Sequence, residues 1–191
     1  MAANQPIISN PAKKKLQRGD PITGINIFEA LLPSVVKVSA QAGYDMIFVD
    51  TEHVVHNDET LTNFLVMGRD AGLTPVVTVV APERALVSRM LDAGALGIIL
   101  SHAESAEQVE QLVRWMKYAP SGERGLALGA NARYNDSDVS RYCQESNEAM
   151  LVLPKIESPL GVKNAEAIMS VPGVDGIVFG PGDLAAKMGF H

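Results

Sequence analysis

Along the chain, short continuous apolar runs alternate with amphipathic stretches. The runs Gly24 to Phe28, Met46 to Val49, Pro75 to Val80, Gly97 to Leu100, Leu126 to Leu128, Met150 to Leu153 and Gly176 to Phe179 predict seven strands. Leu126 to Leu128 carries the weakest pattern. A continuous aliphatic or β-branched run is the signature of a parallel strand covered on both faces. Between the runs, the pattern predicts helices. One spans Ala30 to Ala42 and stops at Gly43. A second follows the N-cap Asn57 to Asp70, with Asp58 and Glu59 in its first turn, where the helix dipole favours anions. A third runs from Glu83 to Leu91 behind Pro82, and a fourth reaches Met116 from the capping-box spacing of Ser105 and Gln108. The last two cover Ser137 to Glu145 and Ser158-Pro159 to Met169.

This strict alternation, with no composition break, predicts one parallel α/β domain over residues 23–191, preceded by an arm at residues 1–22 that is loosely ordered or a short helix. A TIM (β/α)8-type barrel and a doubly wound sheet both fit. Seven strand candidates favour the barrel, although an eight-stranded barrel usually takes about 250 residues and this chain has 191.

Composition narrows the function classes. The chain is 47% hydrophobic and 20% charged, as expected of a globular domain with a substantial core. Its net charge is −6, and the only compact basic run is Lys13-Lys14-Lys15 with Arg18, too short to track a nucleic-acid backbone. No run is long enough to span a bilayer, and the N-terminal stretch lacks the apolar segment of a signal peptide, so a cytoplasmic location is expected. Cys143 is the only cysteine, which excludes an intrachain disulfide and fits a reducing compartment.

The candidate chemistry lies where three apolar runs end in acids: Asp50-Thr51-Glu52-His53, Lys155-Ile156-Glu157 and Gly180-Pro181-Gly182-Asp183. In parallel α/β folds the ligand lies beyond the carboxyl ends of the strands, so these carboxylates point at one shared mouth. Each could instead cap a helix. Three in register favour acid–base chemistry or a divalent cation held by hard oxygen ligands.

These segments, together with Met90-Leu91-Asp92-Ala93-Gly94-Ala95 and Glu123-Arg124-Gly125, resemble the metal-dependent pyruvate aldolases of the HpcH/HpaI family, over nearly the whole chain from Gly24. The resemblance implies a phosphoenolpyruvate/pyruvate-type barrel and a class II aldolase or related lyase acting on a 4-hydroxy-2-keto acid through a metal-bound pyruvate enolate. It implies a Mg²⁺ or Mn²⁺ cofactor, with Co²⁺ also suitable, a small 2-keto acid and an aldehyde as substrates, and a homo-oligomer. Position by position, it makes Glu157 and Asp183 the metal ligands, His53 the proton carrier with Asp92 as its acidic partner, and Asp50 a carboxylate that positions water. Arg124 would shape the mouth, and Gly182 would let the backbone approach the substrate carboxylate.

The chain also departs from the family pattern. Thr78 stands where an arginine usually pairs with the substrate carboxylate, Lys155 where an uncharged residue is common, and Ser101-His102-Ala103 where proline and an apolar residue are frequent. Lys155 could return some of the missing charge, and His102 is either a specificity residue or a surface histidine. The eighth strand and final helix of family barrels are absent from these residues, so an incomplete barrel, or one whose edge a partner chain fills, is expected. Two alternatives remain beside the aldolase: another enolate enzyme, such as a decarboxylase or a carbon–carbon bond-forming synthase with a non-pyruvate donor, and a non-catalytic barrel subunit.

Overall fold

The computed structural model describes residues 6–135 and 137–190; the first five residues of the expected arm, position 136 of the polar loop after Asn131 and position 191 lie outside them. A short helix α1 (Pro11–Gln17) precedes β1 (Gly24–Ile27), and the chain then alternates as α2 (Pro33–Gln41), β2 (Met46–Val49), α3 (Asp58–Asp70), β3 (Thr74–Val79), α4 (Arg84–Asp92), β4 (Gly97–Leu100) and α5 (Ala106–Met116). After a 3-10 turn at Ala130–Ala132 come α6 (Val139–Ala149), β5 (Leu151–Ile156), α7 (Pro159–Lys163), α8 (Ala165–Met169), β6 (Val178–Phe179) and α9 (Pro181–Lys187).

Among the described residues, the six strands are all parallel and paired in chain order, β1 through β6. A doubly wound sheet reverses its strand order at a switch point; this one never does, which is barrel-type winding. The two faces bury different sets of side chains, because alternate residues of a strand point opposite ways. Ile47, Val49, Val77, Val79, Ile98, Leu100, Val152 and Ile156 face the helices. Val76, Ile99, Leu151 and Leu153, with Met46, Phe48 and Val178 packed against them, form a second cluster on the inner face. Side chains from five consecutive strands meet there only because the sheet curls into a half-barrel.

The lower end of that inner core is covered by α1, whose Ala12 and Leu16 belong to the inner cluster. Asn10 caps the helix and also donates to the carbonyls of Leu96 (2.9 Å) and Ala149 (2.7 Å). Thr74 Oγ1 accepts from the Ala12 amide, and the buried Lys13 ammonium binds Asp175 and the Met150 carbonyl. The arm is therefore, over its described residues, part of the domain.

Two expectations are corrected, and one helix was not foreseen. Leu126 to Leu128 is not a strand, since β4 pairs directly with β5 and leaves it no partner. The helix expected over Ser158 to Met169 divides at Asn164, which ends α7 and starts α8. The stretch Gly180-Pro181-Gly182-Asp183 opens a helix, α9, that its glycines concealed. The caps at Asn57 and Ser158 and the capping box of Ser105 and Gln108 form as expected.

Candidate active site and metal centre

Moving up the inner face, the apolar core gives way to polar groups within one residue pair per strand. Above Phe48 on β2 comes Asp50, above Val76 on β3 comes Thr78, above Ile99 on β4 comes Ser101, and above Leu153 on β5 come Lys155 and then Glu157. The same period of two that buries Leu151 and Leu153 therefore aims Lys155 and Glu157 into the mouth.

Glu157 is the centre of this layer. Its side chain has no exposed surface. Oε1 accepts the backbone N–H of His102 (2.7 Å), and Oε2 lies 2.7 Å from the Lys155 ammonium. Gly180 makes room for it: a Cβ there would stand 2.7 Å from Glu157 Cβ and 3.0 Å from Lys155 Cε, and would collide with Oε2. His102 adopts the left-handed region at φ 50°, a conformation that costs a non-glycine residue about 1–3 kcal/mol. Its N–H bond to Glu157 and its ring contacts hold it there. Nε2 lies 3.0 Å from Glu52 Oε1, Nδ1 lies 3.4 Å from Glu157 Oε1, and Lys187 of α9 reaches Nδ1 at 3.1 Å. Ser101 Oγ donates to the other Glu52 oxygen.

Glu52, His102 and Glu157 thus each present a donor atom within 4.8 Å of the others. Two hard carboxylates, one of them wholly buried, with an imidazole beside them, form a donor set that suits Mg²⁺, Mn²⁺ or Co²⁺. Lys155 also lies 3.8 Å from Glu52 Oε2. Burial alone would lower the pKa of its ammonium, but the hydrogen bond and charge of Glu157, with Glu52 and Asp183 adding theirs, raise it above the ordinary lysine value. Asp183 stands in the first turn of α9, close enough for its charge to act on Lys155, and is outside the three-donor group.

The other expected site residues separate into two places. At the mouth, buried Asp50 uses Oδ1 to accept the backbone N–H groups of Glu52 (3.0 Å) and His53 (2.7 Å), so that it shapes the turn carrying both. His53 is half exposed, with Glu52 Oε2 3.7 Å from its Nε2. Thr78 is buried beneath the mouth, and its carbonyl accepts the Thr51 hydroxyl. Gly182 faces open space. Asp92 and Arg124 are elsewhere. Helix α4 returns from the top of β3 to the bottom of β4, so Asp92, its last residue, lies at the opposite end of the sheet from His53. There its carboxylate binds Arg124 (2.8 Å) and Asn131 (3.1 Å). The Arg124 guanidinium also stacks 4.7 Å over the Tyr118 ring, and its backbone N–H bonds the carbonyl of Lys117, which caps the C-terminus of α5. No dyad between His53 and Asp92 forms within this chain, and Arg124 does not reach the mouth.

Glu52, Ser101 and Lys187 were not singled out from sequence. Glu52 and Ser101 could have been, since Glu52 sits inside the quoted acidic motif and Ser101 continues the inner-face parity of β4. Lys187 depends on a helix the sequence did not reveal.

A family model described as HpcH/HpaI aldolase/citrate lyase matches residues 28–191. The chain is 29% identical over 184 residues to the 2-keto-3-deoxy-L-rhamnonate aldolase of Salmonella gallinarum, covering 96% of this chain and 68% of that protein. Among solved structures, an HpcH/HpaI aldolase from Desulfitobacterium hafniense DCB-2 superposes with a TM-score of 0.88 at 32% identity, over 93% of this chain and 68% of that one. The citrate synthase SbnG superposes with a TM-score of 0.83 at 34% identity, over 95% and 70%.

Proposed function

We infer from the HpcH/HpaI aldolase/citrate lyase family, to which this chain belongs, that it is a divalent-metal-dependent carbon–carbon lyase cleaving or forming a bond of a 4-hydroxy-2-keto acid. The observation that carries the reading is Glu157, fully buried at the carboxyl end of a barrel-type strand and converging with Glu52 and His102 on one point. These three would hold the ion, with Asp183 beside them. When bound, the cation supplies positive charge to the keto acid's oxygens and so stabilises the enolate that forms as the bond breaks.

The chain's own groups do the rest. Cleavage requires a base for the 4-hydroxyl proton, and condensation requires one for a methyl proton of pyruvate. His53, half exposed with Glu52 at its Nε2, suits both tasks. Lys155 and Lys187 put two cations at the mouth where Thr78 contributes none, and these suit the substrate carboxylate. Asp50 holds the turn that carries Glu52 and His53. The likeness to the Salmonella gallinarum aldolase supports a 2-keto-3-deoxy sugar acid as substrate.

A second reading, an enolate enzyme that builds a bond from a non-pyruvate donor, is favoured by the likeness to citrate synthase SbnG. Pyruvate release from 2-keto-3-deoxy acids, abolished by chelation and restored by Mn²⁺, is the expected result. Condensation without any retro-aldol release would favour the second reading. Exposed apolar groups around β6 and the last helices, among them Phe179, Met169 and Phe190, support a homo-oligomer, which sedimentation measures. The lone half-buried cysteine supports a reducing compartment such as the cytoplasm.

A further inference from the structure

We propose that Lys155 is the resident cation of the metal-free site, and that a divalent ion enters by displacing its ammonium from Glu157, so that this lysine sets how tightly the ion is held. The inference rests on the reading that these carboxylates bind a divalent cation. Its own ground is where the ammonium sits. Lys155 Nζ is 2.7 Å from Glu157 Oε2 and 3.8 Å from Glu52 Oε2, and the charge of Asp183 acts on it as well. The ammonium therefore lies among the same carboxylates that a divalent ion would use.

Both cations cannot occupy that point. A magnesium-sized ion needs oxygens at about 2.0–2.1 Å, and an ammonium held 2.7 Å from the same oxygen would face it as a like charge in a buried setting. An ion bound through the other oxygen, Oε1, which accepts the His102 N–H at 2.7 Å and keeps a second lone pair, would still share its carboxylate with the ammonium. Gly180 confines the Lys155 stem: a Cβ there would stand 3.0 Å from Lys155 Cε, so the backbone between β6 and α9 lies against the side chain. Away from Gly180, the next anion open to the ammonium is Glu52, at 3.8 Å.

The alternative cation, Lys187, touches the ring of His102 and no carboxylate of the cluster. It touches a proposed ligand, so the control is Lys14, exposed on α1 at the opposite end of the sheet. Lys155 is also what keeps buried Glu157 paired when no ion is bound, since an uncompensated buried carboxylate is strongly unfavourable. One residue thus does two opposed things: it stabilises the empty site and weakens the filled one.

The experiment is calorimetric titration of Mn²⁺ into chelator-stripped, full-length protein: wild type, Lys155→Met, Lys155→Gln, Lys14→Met and Glu157→Gln. The expected result is Mn²⁺ binding at least about tenfold tighter in both Lys155 variants, as removal of a directly competing charge implies, and changed by less than about threefold in Lys14→Met, whose charge is exposed and screened. Lys155→Gln retains a donor for Glu157 and decides the matter if Lys155→Met does not fold. Equal or weaker Mn²⁺ binding in the Lys155 variants, with Glu157→Gln still abolishing it, overturns the inference and leaves the metal reading standing. Absence of Mn²⁺ binding in every protein, or undiminished binding in Glu157→Gln, overturns both.

Discussion

Glu157 and Gly180 face each other across the β5–β6 edge with no room between them, so the position of the carboxylate is fixed by the absence of a side chain opposite. Gly180→Ala should push Glu157 off the Lys155 ammonium. A stability loss of about 1–3 kcal/mol is expected, the usual cost of overpacking, together with weaker Mn²⁺ binding; unchanged melting and affinity would show that Glu157 moves freely. His53 makes the opposite case. Half exposed and outside the three-donor group, its replacement by alanine should leave Mn²⁺ affinity within about threefold while turnover falls by about 10² to 10⁴, the range for a positioned acid–base group. Loss of Mn²⁺ binding in that variant would make His53 a ligand. At this scale the sequence showed which acids end the strands, because apolar runs and their polar ends are local patterns. It did not show which charges meet, since the pairing of Glu52 with His102, and of Glu157 with the His102 backbone, joins turns that lie far apart in the chain.

At the scale of elements, β5 does the most for the site. It runs from Leu151 to Ile156, longer than its apolar run implied, because Pro154 and Lys155 stay in register with β4 and β6. The strand that closes the core thereby carries its polar end to the mouth. The strand expected at Leu126 to Leu128 failed for the complementary reason, that an apolar run becomes a strand only when a neighbour is free to pair. Helix α1 shows a further limit, as nothing in its run of three lysines sets apart Lys13, which is buried against Asp175. The segment leading into α1 depends on Glu145 of α6, whose Oε2 accepts the amides of Ile7 (2.6 Å) and Ile8 (3.2 Å) while Oε1 pairs with Arg141. Burial tends to raise the pKa of that carboxyl, but the two amides and Arg141 prevail and hold it below the usual 4.5. A depressed pKa stabilises the fold above the unfolded value and loses that contribution as pH falls through the folded one. Glu145→Gln should therefore lower stability in urea at pH 7 and flatten its decline below about pH 4.5. An acid limb identical to wild type would place the acid sensitivity elsewhere.

Across the whole molecule, the two ends of the sheet carry different duties. The upper end gathers Glu52, His53, His102, Lys155 and Glu157. The lower end ties together the C-termini of α4 and α5 through Arg124, whose side chain is only 1% exposed and whose charge suits helix C-termini. In a barrel-type fold the end near the strand C-termini is where chemistry belongs, while the other end serves stability. Asp92 tests that division, because sequence motif and structure assign it to opposite ends. Asp92→Ala leaves the Arg124 guanidinium buried beside Tyr118 without its carboxylate, a loss of about 3–5 kcal/mol when such a pair is fully buried and less here, since Asp92 is 32% exposed. The expected outcome is a markedly lower melting temperature with kcat of the folded protein nearly unchanged. If kcat instead falls by two or more powers of ten while melting holds, Asp92 acts at a mouth, and since its own chain keeps it from His53, that mouth must belong to a second copy in an oligomer. Subunit mixing then separates the cases: an Asp92→Ala chain combined with a His53→Ala chain would recover activity only if catalytic groups are shared across the interface.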